Sequence, residues 1–141
     1  MRRSMLLKYV SFLIMLVSLV RLFLGISMFN MFTVAKTMGA VDTDAVRLAA
    51  IALGLIILSA ASELICGFIG ALNWEEPLRA MVCVRYGTVS LLLGLAGNLT
   101  QSFTGYGVSW IAWMTGFVTP TLFLISALRF ALSARRYNEK N

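Results

Sequence analysis

Few residues in this chain are equipped for chemistry, and four of them are charges set within apolar stretches: Arg21, Glu63, Arg85 and Arg129. Histidine is absent and cysteine occurs twice, which excludes His-based acid–base catalysis and most metal sites. No nucleophile stands beside a base, there is no Cys-x-x-Cys and no phosphate-binding glycine loop. Glu75 and Glu76 are adjacent in a turn and point in different directions. No catalytic residue, metal or cofactor is therefore expected.

A charge at the centre of a bilayer costs about 2.5–3.5 kcal/mol even on the lenient insertion scale. Arg21 lies about 18 Å into its apolar stretch and Glu63 about 14 Å from the end of the next, at 1.5 Å per residue. Arg129 is only about 5 Å inside the end of its stretch on the same count, and Arg85 is similarly shallow. An Arg side chain covers the small difference in depth, so an Arg21–Glu63 ion pair is expected, with Arg129 as the alternative partner of the acid. Three uses of such a pair are open. It is an interhelical clamp that fixes register. Alternatively, one acid cannot neutralise Arg21, Arg85 and Arg129 together, and the remaining positive field suits a small anion or an anionic lipid headgroup. Third, Glu63 is the titrating group of a proton-coupled carrier.

The elements that hold these charges follow from composition. Of 141 residues, 60% are hydrophobic and 13% charged, against about 45–50% and about 25% in a soluble domain. Four apolar stretches run from about Tyr9 to Phe32, Val46 to Leu72, Ala80 to Gln101 and Val108 to Leu132. Each is long enough to cross about 30 Å of hydrocarbon as a helix, the form in which a segment satisfies its own backbone groups. The basic start before Tyr9 resembles a signal peptide, but the apolar run continues past Arg21 and no A-x-A-like site follows, so it reads as an uncleaved first span. Short connections make consecutive helices antiparallel neighbours. The expected fold is all-α: a four-helix transmembrane up-down-up-down bundle forming a single domain over residues 1–141.

Within those stretches, small and polar residues recur every three or four positions. The stripe reads Ser11, Ser18, Arg21 and Gly25 in the first span, then Ser59, Ala60, Glu63, Gly67 and Gly70 in the second. It continues as Gly87, Ser90, Gly94, Gly97 and Gln101, and finally Thr115, Thr119, Ser126, Arg129 and Ser133. An alternation of three and four keeps one face of each helix toward its neighbours in a left-handed bundle. Lipid tails are as apolar as leucine, so close backbone approach at small residues is what drives association. The seam is a packing surface first and the lining of a polar cavity second.

Four weaker signals complete the reading. Pro120 removes a helical hydrogen bond and is expected to kink the fourth span. Thr104-Gly105-Tyr106-Gly107 lacks the residue between Thr and Gly that a potassium-channel filter carries, and reads as a glycine-rich turn. Asn98-Leu99-Thr100 spells a glycosylation sequon but lies within the last turns of a span. Cys66 and Cys83 read as small apolar fillers.

The chain carries twelve Lys and Arg against six acids. Nine of those cations (Arg2, Arg3, Lys8, Arg79, Arg85, Arg129, Arg135, Arg136 and Lys140) fall on one side of the membrane, and Lys36 and Arg47 on the other. The bias places both termini in the cytoplasm, in a plasma or inner membrane. Anchoring against anionic headgroups accounts for the positive charge, so nucleic acid is not an expected partner. The expected partners are the bilayer, further copies of the chain or a larger membrane complex, and an anionic lipid or small anion. The expected roles are a structural or accessory subunit, or a small transporter, channel or lipid-binding protein. A fluorescent-protein fusion at the C-terminus is expected to fluoresce, and alkaline phosphatase fused at Gly105 to be active. An active C-terminal phosphatase fusion would reverse the orientation.

Overall fold

The computed structural model describes residues 4–39, 43–76, 79–103 and 110–138. Thr104-Gly105-Tyr106-Gly107, which the sequence reads as a glycine-rich turn, lies outside them, as do Arg2, Arg3 and Lys140. Four helices follow in order: α1 Met5–Thr37, α2 Thr43–Leu72, α3 Ala80–Ser102, and a fourth, α4. This last helix is continuous through an α-helical turn Trp110–Trp113, a π-helical turn Met114–Val118 and a long α-helical part Thr119–Asn138. No strand occurs among the described residues. All four helices are long and apolar enough to cross a membrane.

The first helix is longer at both ends than the apolar pattern implies. Ser4 caps it, its hydroxyl accepting the Leu7 N–H at 3.2 Å, which starts the helix a turn before Tyr9. At the other end nothing breaks the helix after Phe32. Thr33 and Thr37 direct their hydroxyls back to the carbonyls of Phe29 and Val34, and the stop comes at Gly39, whose φ of 67° suits the left-handed cap position. Helix α1 thus runs five residues past Phe32, to Thr37, and α2 begins at Thr43, three residues ahead of Val46.

Close approaches fix the packing. Gly67 lies against Ser11 and Ile14, and Gly25 against Ile57, so α1 and α2 run antiparallel. Gly94 faces Ser59 and Gly97 faces Ile56, which gives α2 and α3 the same relation. Gly87 meets Phe123 and Leu124 while Gly94 meets Gly116, bringing α4 back along α3. Of the expected seam, Ser18, Gly25, Ser59, Gly67, Gly70, Gly87, Ser90, Gly94, Gly97 and Ser126 are buried, whereas Gln101, Thr115 and Ser133 are half-buried and Arg129 is exposed. Outward positions are Leu, Ile, Phe, Met and Val, among them Leu16, Phe23, Leu58 and Leu92.

The apolar core occupies the half of the bundle nearest the first and last residues described. Leu7, Ile14, Cys66, Cys83, Phe123 and Phe130 cluster there, and both cysteines are free. Phe123 fills the space left by two glycines. A Cβ on Gly70 would fall 2.7 Å from its ring and one on Gly87 3.2 Å from it. At the same end the Ser4 N–H donates to the Trp74 carbonyl at 3.1 Å, and Lys8 Nζ sits 4.5 Å from the centre of the Trp74 ring. The start of α1 is thereby held to the turn after α2. The Glu76–Arg79 ion pair in that turn is exposed at both ends and stabilises it little.

These contacts make the glycines unequal. A Cβ at Gly94 runs into the carbonyl oxygen of Gly116, a backbone atom that cannot swing away, whereas one at Gly54 meets nothing within 4 Å. Gly94→Ala is expected to lower stability by about 1–3 kcal/mol, and Gly54→Ala to raise it by about 0.4–1 kcal/mol, in thermal melts of the detergent-solubilised protein. Equal effects would mean that α3 and α4 do not touch at this point.

Candidate functional site

The polar residues of the seam meet in the middle of the bundle, beyond the apolar core. Arg21 projects from the inward face of α1, between Ser18 and Gly25, and Glu63 from the inward face of α2, one turn past Ser59. Arg21 Nη1 donates to Glu63 Oε1 in a direct ion pair. The same carboxylate oxygen accepts from Ser59 Oγ at 3.2 Å. Glu63 is 0% exposed and Arg21 9%, so both charges are withdrawn from solvent and lipid. The acid is matched by Arg21, not by Arg129.

A third contribution comes from the α4 backbone. Arg21 Nη1 also donates to the carbonyl of Thr115 at 3.4 Å. That carbonyl is free because of a local fault in the helix. In a regular α-helix it would accept from the N–H of Thr119. Within the π-helical turn, however, the Thr119 N–H donates to Met114, five residues back. The next residue is Pro120, which has no N–H. The perturbation expected at Pro120 thus takes the form of a π-helical turn directly ahead of it, and the orphaned carbonyl becomes a ligand for the guanidinium. π-turns are often found at such sites.

Asn98 of α3 completes the layer. Its side-chain nitrogen donates to the Ala112 carbonyl at 3.3 Å. A Cβ on Gly116 would lie 3.0 Å from that nitrogen and 3.2 Å from Arg21 Nη2, so both groups converge on a point that only glycine leaves open. Asn98 is buried, which removes the glycosylation sequon from use. Among the described residues, three buried polar atoms have no hydrogen-bond partner: Glu63 Oε2, Ser90 Oγ and Asn98 Oδ1.

Arg85 and Arg129 do not join this cluster. Both are exposed on the outside of the bundle, which corrects the four-residue charge cluster expected from the sequence. The inward face of α3 runs through Cys83, Gly87 and Ser90, and that of α4 through Ser126, Ala127 and Phe130. The two arginines fall off those faces, near the ends of their apolar stretches, where a long side chain has a short path along the surface to an interface. The sequence reading missed Phe123, Asn98, Gly116 and the Thr115 carbonyl. Asn98 directly follows Gly97 in the stripe, and Pro120 signals a freed carbonyl four or five residues before it. Phe123 carried no polar or small-residue signal.

Chemically the arrangement is a neutralised ion pair wrapped in hydroxyl, amide and carbonyl groups. Among the described residues, no group of three His, Cys, Asp or Glu is placed to hold a metal ion. No protein-family model matches this chain, and no curated protein or solved structure proved similar to it.

Breaking a buried pair by removing one partner leaves the other charge stranded. Arg21→Leu is therefore expected to destabilise the bundle by about 3–5 kcal/mol. The double change Arg21→Leu with Glu63→Leu is expected to recover most of that loss, as measured by thermal or denaturant unfolding in micelles. Additive losses would show that the two side chains act independently.

Proposed function

We propose that this chain is a non-catalytic structural or accessory subunit of a plasma or inner membrane, with both termini in the cytoplasm. The observation that carries the reading is the closed state of the embedded charges: Glu63 has no exposed surface, and Arg21 Nη1 donates both to Glu63 and to the α4 backbone. A subunit whose charges hold its own helices together needs them in this condition, whereas a conduction path needs a hydrated route to Glu63. The exposed positions of Arg85 and Arg129, toward the end that carries the excess of cations, suit contact with anionic headgroups. Because the glycines and serines of the seam are consumed inside the bundle, recognition of other membrane proteins falls to the outward surfaces of the helices, to the α2–α3 turn and to the C-terminal segment.

A second reading, a small carrier for protons or anions, is favoured by one observation. Glu63 Oε2, Ser90 Oγ and Asn98 Oδ1 are buried with hydrogen-bonding capacity unused, and such atoms are where a small polar guest or an internal water binds. Purified protein in sealed vesicles separates the two. The accessory reading expects proton and chloride flux, followed with entrapped dyes under an imposed potential, to equal that of protein-free vesicles. Flux above that level which Glu63→Gln abolishes would overturn it in favour of the carrier.

A further inference from the structure

We infer that the outward face of α2 is a self-association surface, on which the same face of a second copy of this chain docks. The inference rests on the accessory-subunit reading and names its partner.

Gly54 raises the question. A glycine inside a helix costs about 0.8–1.0 kcal/mol relative to alanine, and every other helical glycine among the described residues lies against a neighbour that a Cβ would touch. Gly54 has nothing within 4 Å. Its missing side chain serves no contact within the chain.

The residues around it supply the pattern. Ile51, Leu58, Ile65 and Leu72 are exposed and spaced seven apart. Gly54 and Ala61 lie between them, three residues after a large one and four before the next. This is a heptad seam with large and small residues alternating, the arrangement in which knobs of one helix enter gaps in another. It faces away from α1, α3 and α4. Phe68 takes the next small-residue position, so close approach is confined to the half around Gly54 and Ala61. The outward face of α1 has no such alternation: Tyr9, Phe12, Leu16, Leu19 and Phe23 are all large and suit lipid chains.

Charge selects the occupant. The same stripe begins with Asp44 and Arg47, both exposed and one turn apart. Two copies inserted in the same sense are related by a two-fold axis along the membrane normal, which sets α2 parallel to its counterpart with equal residues level. Each Asp44 then stands within reach of the partner's Arg47, and the two pairs close a neutral set at the end of the helix pair. A lipid tail offers no such complement, and another membrane helix would have to reproduce it.

The test uses the full chain in lipid bilayers. Leu58→Cys and Ile51→Cys are expected to crosslink into dimers with a short bifunctional thiol reagent, while Leu16→Cys on α1 and the unaltered chain, whose Cys66 and Cys83 are buried, do not. Gly54→Leu is expected to weaken dimerisation, read by energy transfer between labelled copies, about tenfold or more, a factor equivalent to roughly 1.4 kcal/mol. It should not lower the melting temperature of the monomer, since the site is open and leucine is a better helix former than glycine. Asp44→Arg should weaken the dimer, and Arg47→Asp in the same chain should restore it. A chain that stays monomeric at every protein-to-lipid ratio, a dimer indifferent to Gly54→Leu, or crosslinks through α1 would overturn the inference. Any of these with silent vesicles leaves the accessory reading standing with a different partner. Ion flux through Glu63 would bring that reading down whether or not the dimer forms.

Discussion

A guanidinium has no stable place in hydrocarbon without negative charge beside it, and the middle of this bundle is organised by where Arg21 finds that charge. Glu63 supplies a full charge and Ser59 steadies the acid from one turn away. The Thr115 carbonyl supplies a dipole that a regular helix would have used internally. The acid and its serine come from α2 and the carbonyl from α4, so both helices must lie at close range to α1. Glycine provides that range: Gly25 lets α1 settle on α2, and Gly94 lets α3 lie against the backbone of α4 at Gly116. The small-residue seam and the ion pair are therefore two parts of one arrangement.

Two layers of different chemistry divide the bundle. Near the first and last described residues, Phe123 reaches across to the flat faces left by Gly70 and Gly87 among Leu7, Ile14 and Phe130. Beyond it the interior turns polar. A slide of α2 by a turn would carry Gly70 away from Phe123 and Glu63 away from Arg21 together. Buried ion pairs often add little net stability over apolar replacements. Here the pair and the aromatic knob both oppose the same slide, so their shared contribution is to register.

The architecture was legible in the sequence because the bilayer imposes lengths and excludes polar backbone. The four apolar stretches and the three-and-four alternation of small residues lead directly to the helices and their inward faces, and the Arg21–Glu63 pair follows from the scarcity of embedded acids. Arg129 was misplaced because its spacing matches the seam, and Arg85 because its depth alone put it in the same half of the bundle; long side chains near the ends of apolar stretches have a cheaper exit along the surface. The role of Thr115 was not legible. It depends on a main-chain carbonyl released jointly by a π-turn and Pro120, and nothing in the identity of Thr115 announces it. Phe123 was hidden for the opposite reason, since a large apolar residue looks the same whether it faces lipid or a pair of glycines.

The 42 residues that separate Arg21 from Glu63 bear on how the chain enters its membrane. Synthesis delivers α1 first, carrying a buried-type cation with no counter-charge yet made. Until α2 emerges, a released α1 bears the full cost of that charge in lipid, whereas a helix retained at the insertion site does not. The favourable unit of release is the α1–α2 hairpin, already neutral and already packed through Gly25 and Gly67. The second pair of helices, in which no buried charge is found among the described residues, then docks onto a finished template and contributes the Thr115 carbonyl last.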